Sequence, residues 1–428
     1  MKKTTLSAIS KFIQLNISLV FLITFTITSA QTSNFKEIKL TEPVCIYKED
    51  LKHYDAEKSS ILRKQVNLTG EPCSNFVVTY IGFSEDAKKA FQHAVDIWAH
   101  IIESPVPIRV VARFEALGAS TLGSAGPESL NTIIGVNGIN ENFWYPSALY
   151  EKLLGTDRNE SLPTVDIRAR FNSEFDFYFG VDGNPPSDKH DFVSIVLHEL
   201  GHGLGFTGLG SVDGANGEIR SQDKPSIYDL FIVNGDSVSV LDFPDPSPTL
   251  LTQLTSDNLF SNGPLAVSDN NNVLPSIYAP RTFDSGSSYS HWDEGTFLRG
   301  NVNSLMTPFI ANGEAIHNPG PVTLGFFKDM GWSICSSALS LENVSLDAAF
   351  STWPNPFSNQ ITLNFTNLNT TQLNIKLTDV KGTLILTQKV DYKGNTITLT
   401  NLGSLSSGIY FITISDSNLR LTEKIIKY

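Results

Sequence analysis

The chain has 428 residues, 41% of them apolar and 18% charged, with a formal net charge of −13. That length allows two or three domains, the largest with a full core of its own. The acidic balance, with no basic stretch able to neutralise phosphates, argues against a nucleic-acid partner.

Lys2 and Lys3 precede a mostly apolar run from Phe12 to Ile27, and Thr28, Ser29 and Ala30 place small residues ahead of Gln31. This is the layout of a secretory signal peptide over residues 1–30. Gln14, Asn16 and Ser18 break the run and speak against a retained anchor, and no other stretch approaches the ~20 apolar residues a spanning helix needs. No transmembrane anchor is therefore expected after signal cleavage. Residues 31–72 are polar and charged, without a long period, and read as an N-terminal extension or short pro-segment. Of the three cysteines, Cys45, Cys73 and Cys335, one pair can form a disulfide in an oxidising compartment, and the sequence leaves all three pairings open. A Cys45 thiolate masking a metal would be one use of an odd thiol, but its surroundings carry no diagnostic pattern.

Phe76–Ile81 reads as a strand. Ser84 is a candidate N-cap for a helix with Glu85 and Asp86 in its first turn, and Ala87, Ala90, Phe91, Ala94, Ile97, Trp98 and Ile101 recur at helical spacing. Pro105 and Pro107 stop it, and Ile108–Phe114 is a second strand, which suggests a parallel strand–helix–strand unit. Strand-like runs follow at Thr132–Val136 and Val165–Phe171, then a helix over roughly 187–204. From Gly205 to about residue 300 the chain is rich in Gly, Ser, Asn, Asp and Pro, so little regular structure is expected; a loop that long implies a function. After Cys335 the composition shifts again. Residues 338–345 read as a linker, and residues 346–428 carry evenly spaced short strands that suggest a small all-β sandwich.

The 187–204 helix carries His198-Glu199-Leu200-Gly201-His202. A helix advances about 100° per residue, so the two histidines share one face, about 6 Å apart along the axis. Both can reach one zinc ion, while Glu199 is turned away from the ligand pair and suits the role of base towards zinc-bound water. A catalytic zinc takes three protein ligands. The compact pattern would place the third at position 208, which is Gly208, although Gly205 still matches a turn out of the helix. His53 lies outside the domain, His93 and His100 sit on the first helix, and His190 precedes the histidine helix. His291 and His317 remain as candidates, with Met306 downstream of the first.

Ser290-His291-Trp292, then Leu305-Met306-Thr307-Pro308, then Thr323 to Trp332, resemble the leishmanolysin family of metzincin zinc peptidases. The resemblance covers about residues 73–335, within a peptidase domain expected over residues 73–337. It implies an α+β catalytic domain, a twisted mixed sheet plus helices with an irregular C-terminal subdomain, in which a long insertion precedes the third zinc histidine. It implies His291 as third ligand and Met306 as the methionine of a turn beneath the metal. The mechanism implied has zinc on His198, His202 and His291 polarising the scissile carbonyl of a protein or peptide substrate, and Glu199 passing the water's proton to the leaving amine. Such a substrate would lie extended along a sheet edge, for which Val165–Phe171 is the candidate. Asp293 and Glu294 could orient His291; calcium could sit in the Asp- and Asn-rich loops, though none matches a defined calcium pattern.

Pro354-Asn-Pro-Phe357, Leu405 to Phe411 and Glu423-Lys-Ile-Ile-Lys427 resemble the C-terminal sorting domain of the bacterial type IX secretion system. That resemblance implies the secretion machinery as a partner and a secreted or cell-surface location. The rival reading from another class is a surface adhesive or binding protein that keeps the scaffold without turnover; a zinc hydrolase of a non-peptide amide is a third.

Overall fold

A computed structural model describes residues 35–40, 45–49, 68, 70–118, 121–158, 165–335, 349–366, 372–379, 383–391, 396–415 and 420–428. The expected signal peptide and linker lie outside these residues. The chain divides between Ile334 and Cys335 into two compact units. Cys73 and Cys335 are both disulfide-bonded, and since the chain has three cysteines they bond each other. Among the described residues no helix is long and apolar enough to cross a membrane.

The first unit is mixed α+β. Among its strands are β1 (Phe35–Lys39), β2 (Cys45–Glu49), β3 (Phe76–Ile81), β4 (Ile108–Glu115), β5 (Thr121–Pro127), β6 (Ser129–Ile133), β7 (Ile167–Asn172) and β8 (Phe309–Ile310). Helices α1 (Glu85–Ile101), α2 (Ser147–Leu154), α3 (Phe192–Gly203) and α4 (Pro321–Met330) pack with them. The main sheet has the order β8-β2-β5-β7-β4-β3. β3, β4 and β7 run parallel, β5 runs antiparallel to β7 and to β2, and β2 runs parallel to β8. β1 pairs with β6 outside that sheet.

α1 begins where the sequence places it: the Ser84 side chain accepts from the Ala87 N–H, and the apolar stripe from Ala87 to Ile101 is buried. β3, α1 and β4 form the expected parallel unit. Two strand readings need correction. The strand expected at Thr132–Val136 lies at Ser129–Ile133. Val165–Phe171 was the expected sheet edge, but β7 is interior, hydrogen-bonded to β4 on one side and β5 on the other. The strand beyond it, β5, reads Thr-Leu-Gly-Ser-Ala-Gly-Pro, a composition that argues against a strand. Its Gly123 has a packing reason: a Cβ there would lie 3.2 Å from Glu199 Cγ, Ile195 Cγ2 and Phe171 Cδ1.

α3 starts at Phe192, later than expected, because Asp191 caps it: one carboxylate oxygen accepts from the Ser194 N–H at 2.9 Å and the Ser194 hydroxyl at 2.7 Å. Every residue of the helix is buried. Phe192 meets Phe83, Phe114, Phe171, Phe177 and Phe179 in one aromatic cluster between helix and sheet. From Gly205, where φ is +120°, to about residue 300, elements are short and irregular, as the composition predicts.

The second unit packs two antiparallel sheets. One contains β9 (Ala349–Trp353), β10 (Ile361–Thr366) and β13 (Thr396–Leu399). The other contains β11 (Gln372–Asp379), β12 (Leu384–Asp391), β14 (Gly408–Ser415) and β15 (Arg420–Lys427), in the order β12-β11-β14-β15. Leu363 and Phe365 from the first meet Ile375, Leu377, Ile412 and Ile414 from the second in one buried core. Asn355 of the Pro-Asn-Pro-Phe run accepts from the Ile426 N–H and donates to the Lys424 carbonyl, so that run is pinned to the terminal strand.

Phe192→Ala should lower unfolding stability by about 3–5 kcal/mol, the usual cost of emptying a buried phenylalanine site, read from the denaturant midpoint.

Candidate metal centre

Three imidazoles converge. His198 and His202 project from adjacent turns of α3, and His291 comes from the loop that closes the long insertion. Their Nε2 atoms lie 2.9 Å (His198–His202), 3.2 Å (His202–His291) and 3.2 Å (His291–His198) apart. All three residues are fully buried. Three nitrogens on one tetrahedral zinc at the usual bond length would be about 3.3 Å apart, close to this arrangement.

The other ring nitrogens fix the tautomers. His198 Nδ1 donates to the Leu305 carbonyl at 2.6 Å, His202 Nδ1 to the Phe206 carbonyl at 2.7 Å, and His291 Nδ1 to the Ser287 carbonyl at 2.6 Å. A carbonyl can only accept, so each Nδ1 carries the proton and each Nε2 presents a lone pair inward. Burial, reinforced by His202 and His291, holds His198 well below the usual histidine range, and burial pushes His202 down to about 4. Both are neutral, the form in which imidazole binds metal. Three facing lone pairs repel unless a cation lies between them, so the donor set fits a metal ion.

Met306 lies beneath the helix. It ends a 3₁₀ turn, Ser304–Met306, and a Cβ added to Gly201 would lie 2.8 Å from its sulfur. Gly201, between the two helix histidines, is thus needed for close approach. The same turn supplies the Leu305 carbonyl that orients His198, and the Met306 carbonyl accepts from the Trp292 N–H at 2.9 Å. One turn therefore holds both the helix histidine and the neighbour of His291. Glu199 is buried on the β5 side of α3, with its Cγ against Gly123.

The insertion is tied to the site by Asp229, which sequence reasoning missed. One of its oxygens accepts from the Tyr289 hydroxyl at 3.0 Å and the Leu209 N–H at 3.2 Å; the other accepts from the Ser226 N–H and hydroxyl. It thereby joins the exit of α3 to the residues preceding His291. The Gly208 N–H adds a bond to Ser290 Oγ at 3.1 Å. Gly208, where the compact pattern would have a histidine, instead faces the Tyr289 ring; a Cβ there would clash at 2.2 Å. Burial raises Asp229 to about 6, opposed by these hydrogen bonds.

The other candidates lie elsewhere. His317 Nε2 donates to Asp191 at 2.7 Å, beneath the N-terminus of α3 and away from the trio, and His93 packs edge-on against His317. His190 packs edge-on against Phe175. The Ser287 carbonyl, rather than Asp293 or Glu294, accepts from His291 Nδ1. Among the described residues no second group of three histidine, cysteine or carboxylate side chains converges.

Residues 351–428 match a family model described as a secretion system C-terminal sorting domain. The C-terminal domain is a sorting domain. The chain is therefore exported by type IX secretion, to the cell surface or beyond it, and the secretion machinery is its partner. Residues 84–216 match a second model, described as SPBPB7E8-like, which spans His198, Glu199 and His202 and stops before His291. No curated protein matches. One similar solved structure is a duf3244 family protein with an immunoglobulin-like β-sandwich fold from Bacteroides vulgatus. It is 17% identical over 18% of this chain and 83% of its own, with a TM-score of 0.16. Another is dimeric latent PorU from Porphyromonas gingivalis, 17% identical over 19% of this chain and 9% of its own, with a TM-score of 0.16.

Asp229→Ala strands the buried Tyr289 hydroxyl and the Leu209 and Ser226 N–H groups, and should cost about 1–3 kcal/mol for each group left unsatisfied. The wild-type carboxyl titrates at about 6 when folded, against 3.8 for the free residue. The folded state holds that proton more tightly, so the contribution of this group to stability is full below pH 4 and is lost as pH rises through 6. Unfolding curves of wild type and Asp229→Asn should therefore converge or cross over that window, with the wild type losing ground as pH rises.

Proposed function

We propose that the chain is a secreted zinc-dependent endopeptidase of the metzincin type, similar to the leishmanolysin family. The observation that carries this reading is the convergence of His198, His202 and His291 through inward-facing Nε2 atoms, with their tautomers set by three carbonyls, above a buried methionine turn.

Zinc held there would polarise the scissile carbonyl and make water acidic enough to be deprotonated near neutral pH. The remaining work belongs to the protein. The Glu199 carboxylate, one residue along α3 from His198 and on the β5 side, accepts the proton of the attacking water and returns it to the leaving amine. The Leu305, Phe206 and Ser287 carbonyls hold the three rings in place as charge shifts. The aromatic wall of Phe206 and Trp292 excludes solvent behind the site. β5, rather than β7, is the strand that flanks Glu199. The intact base speaks against a purely adhesive scaffold, since binding alone has no use for a carboxylate beside the ligand pair.

Purified chain should cleave casein or a peptide library, lose that activity to a chelator and recover it with zinc. Glu199→Ala should reduce turnover by about 10²–10⁴-fold while zinc stays bound; equal turnover in wild type and variant would end the mechanism. For the third ligand, zinc content separates the candidates. His291→Ala should lose most of its zinc, and folded His317→Gln should keep it; full retention in the first would remove His291 from the set.

A further inference from the structure

Tyr289 holds a backbone conformation that bulky residues avoid. Its φ is +75°, in the left-handed region, and its side chain is fully buried. The other non-glycine residues with positive φ among the described residues are Asn, Asp, Ser or Gln, all of them exposed. The conformation has a local effect. Residues 276–278 run antiparallel to 291–293: the Asp293 N–H donates to the Ser276 carbonyl, Ile277 lies opposite Trp292, and the Tyr278 N–H donates to the His291 carbonyl. An unbroken ladder would return the His291 N–H to the Tyr278 carbonyl. Here that carbonyl takes the Tyr289 N–H, at 2.7 Å. Tyr289, Ser290 and His291 thus face one residue, a bulge of the kind that re-aims a side chain beside a functional site. The same fold-back sets the Ser287 carbonyl on Nδ1 of His291, with Tyr289 midway between them.

We infer that Tyr289 is a positioning residue of the metal centre: its left-handed backbone, locked by its ring and hydroxyl, aims His291 at His198 and His202. The inference rests on the metal reading of the three histidines and is independent of which bond the chain cuts. Each group that Tyr289 offers is held. Its N–H goes to Tyr278, its carbonyl accepts from the Tyr228 hydroxyl at 2.7 Å, and its own hydroxyl donates to Asp229 at 3.0 Å. Its ring lies flat on the chain leaving α3, where a Cβ added to Gly208 or Gly210 would clash with it. A strained conformation persists only where its surroundings over-determine it in this way. The left-handed region disfavours an L-residue by roughly tenfold in population. Without the anchors the loop would relax, and His291, two residues on, would turn with it. Glycine takes the same φ without strain but has no side chain to fasten. Tyrosine accepts the strain and supplies the lock. Because that lock closes on the exit of α3, the third ligand is set against the two helix histidines in advance of any ion.

The test uses the full mature chain, freed of metal and titrated with zinc and with cobalt. Tyr289→Gly and Tyr289→Ala lose the same ring and hydroxyl and differ chiefly in their tolerance of positive φ. Tyr289→Phe keeps the ring and loses one hydrogen bond. Zinc affinity should fall roughly threefold or more in Tyr289→Phe. It should be about tenfold weaker in Tyr289→Ala than in Tyr289→Gly. The visible absorption of cobalt bound to Tyr289→Ala should approach that of His291→Ala, because the third nitrogen is withdrawn. A side chain that only filled the wall of the site would change unfolding midpoints and leave both metal readouts alone. Equal zinc affinity in Tyr289→Gly and Tyr289→Ala, with the wild-type cobalt spectrum in both, would overturn the inference and leave the metal reading standing. If those two variants do not fold, Tyr289→Phe decides, and wild-type affinity there overturns the inference. A wild-type chain that takes up no zinc overturns the inference and the metal reading together.

Discussion

Three hydrogen bonds from histidine Nδ1 atoms to main-chain carbonyls set the terms for the rest of this domain. Each makes one imidazole a neutral donor ligand aimed at a common point. Each carbonyl comes from a different stretch: Phe206 where the chain leaves α3, Leu305 in the methionine turn, Ser287 at the end of the insertion. Three buried lone pairs at 2.9–3.2 Å cost energy without a cation, so the architecture is arranged to hold them together. Trp98 fastens α3 to α1 through the Leu197 carbonyl, and Trp332 reaches from beyond α4 to the Leu204 carbonyl at the helix exit. Asp229 and Gly208 then draw the insertion back to the same place.

Much of this was legible in the residues, and the failures are informative. His198 and His202 follow from helical spacing, and α1 from its cap and apolar stripe. His291 and Met306 came from resemblance, because no spacing rule spans an insertion of that length. What remained hidden was carried by the backbone. Carbonyls of Leu305, Phe206 and Ser287 have no side-chain signature, so nothing in the sequence marks them. β5 was missed because Gly123 and Gly126 weaken strand propensity, yet close packing on Glu199, Ile195 and Phe171 favours the small residue at 123. β7 was misplaced at an edge for a related reason: once β5 went unseen, nothing lay beyond it. Asp229 looked like one more acidic residue in a polar loop, and only its burial with four donors separates it from the rest.

The sorting domain fits the rest of the chain chemically. A type IX substrate reaches an oxidising exterior, where a disulfide persists, and Cys73 and Cys335 are joined. The sandwich has its own core, and among the described residues it contributes nothing to the histidine cluster, so export and the proposed chemistry occupy separate parts of the sequence.

That disulfide has a further consequence. Cys335 stands just ahead of residues 336–348, and its partner Cys73 stands between β2 and β3. A cut within 336–348 would therefore detach the export tag while the covalent tie across the remaining domain stayed whole. Whether such a cut came early or late, the released body would keep the same cross-link.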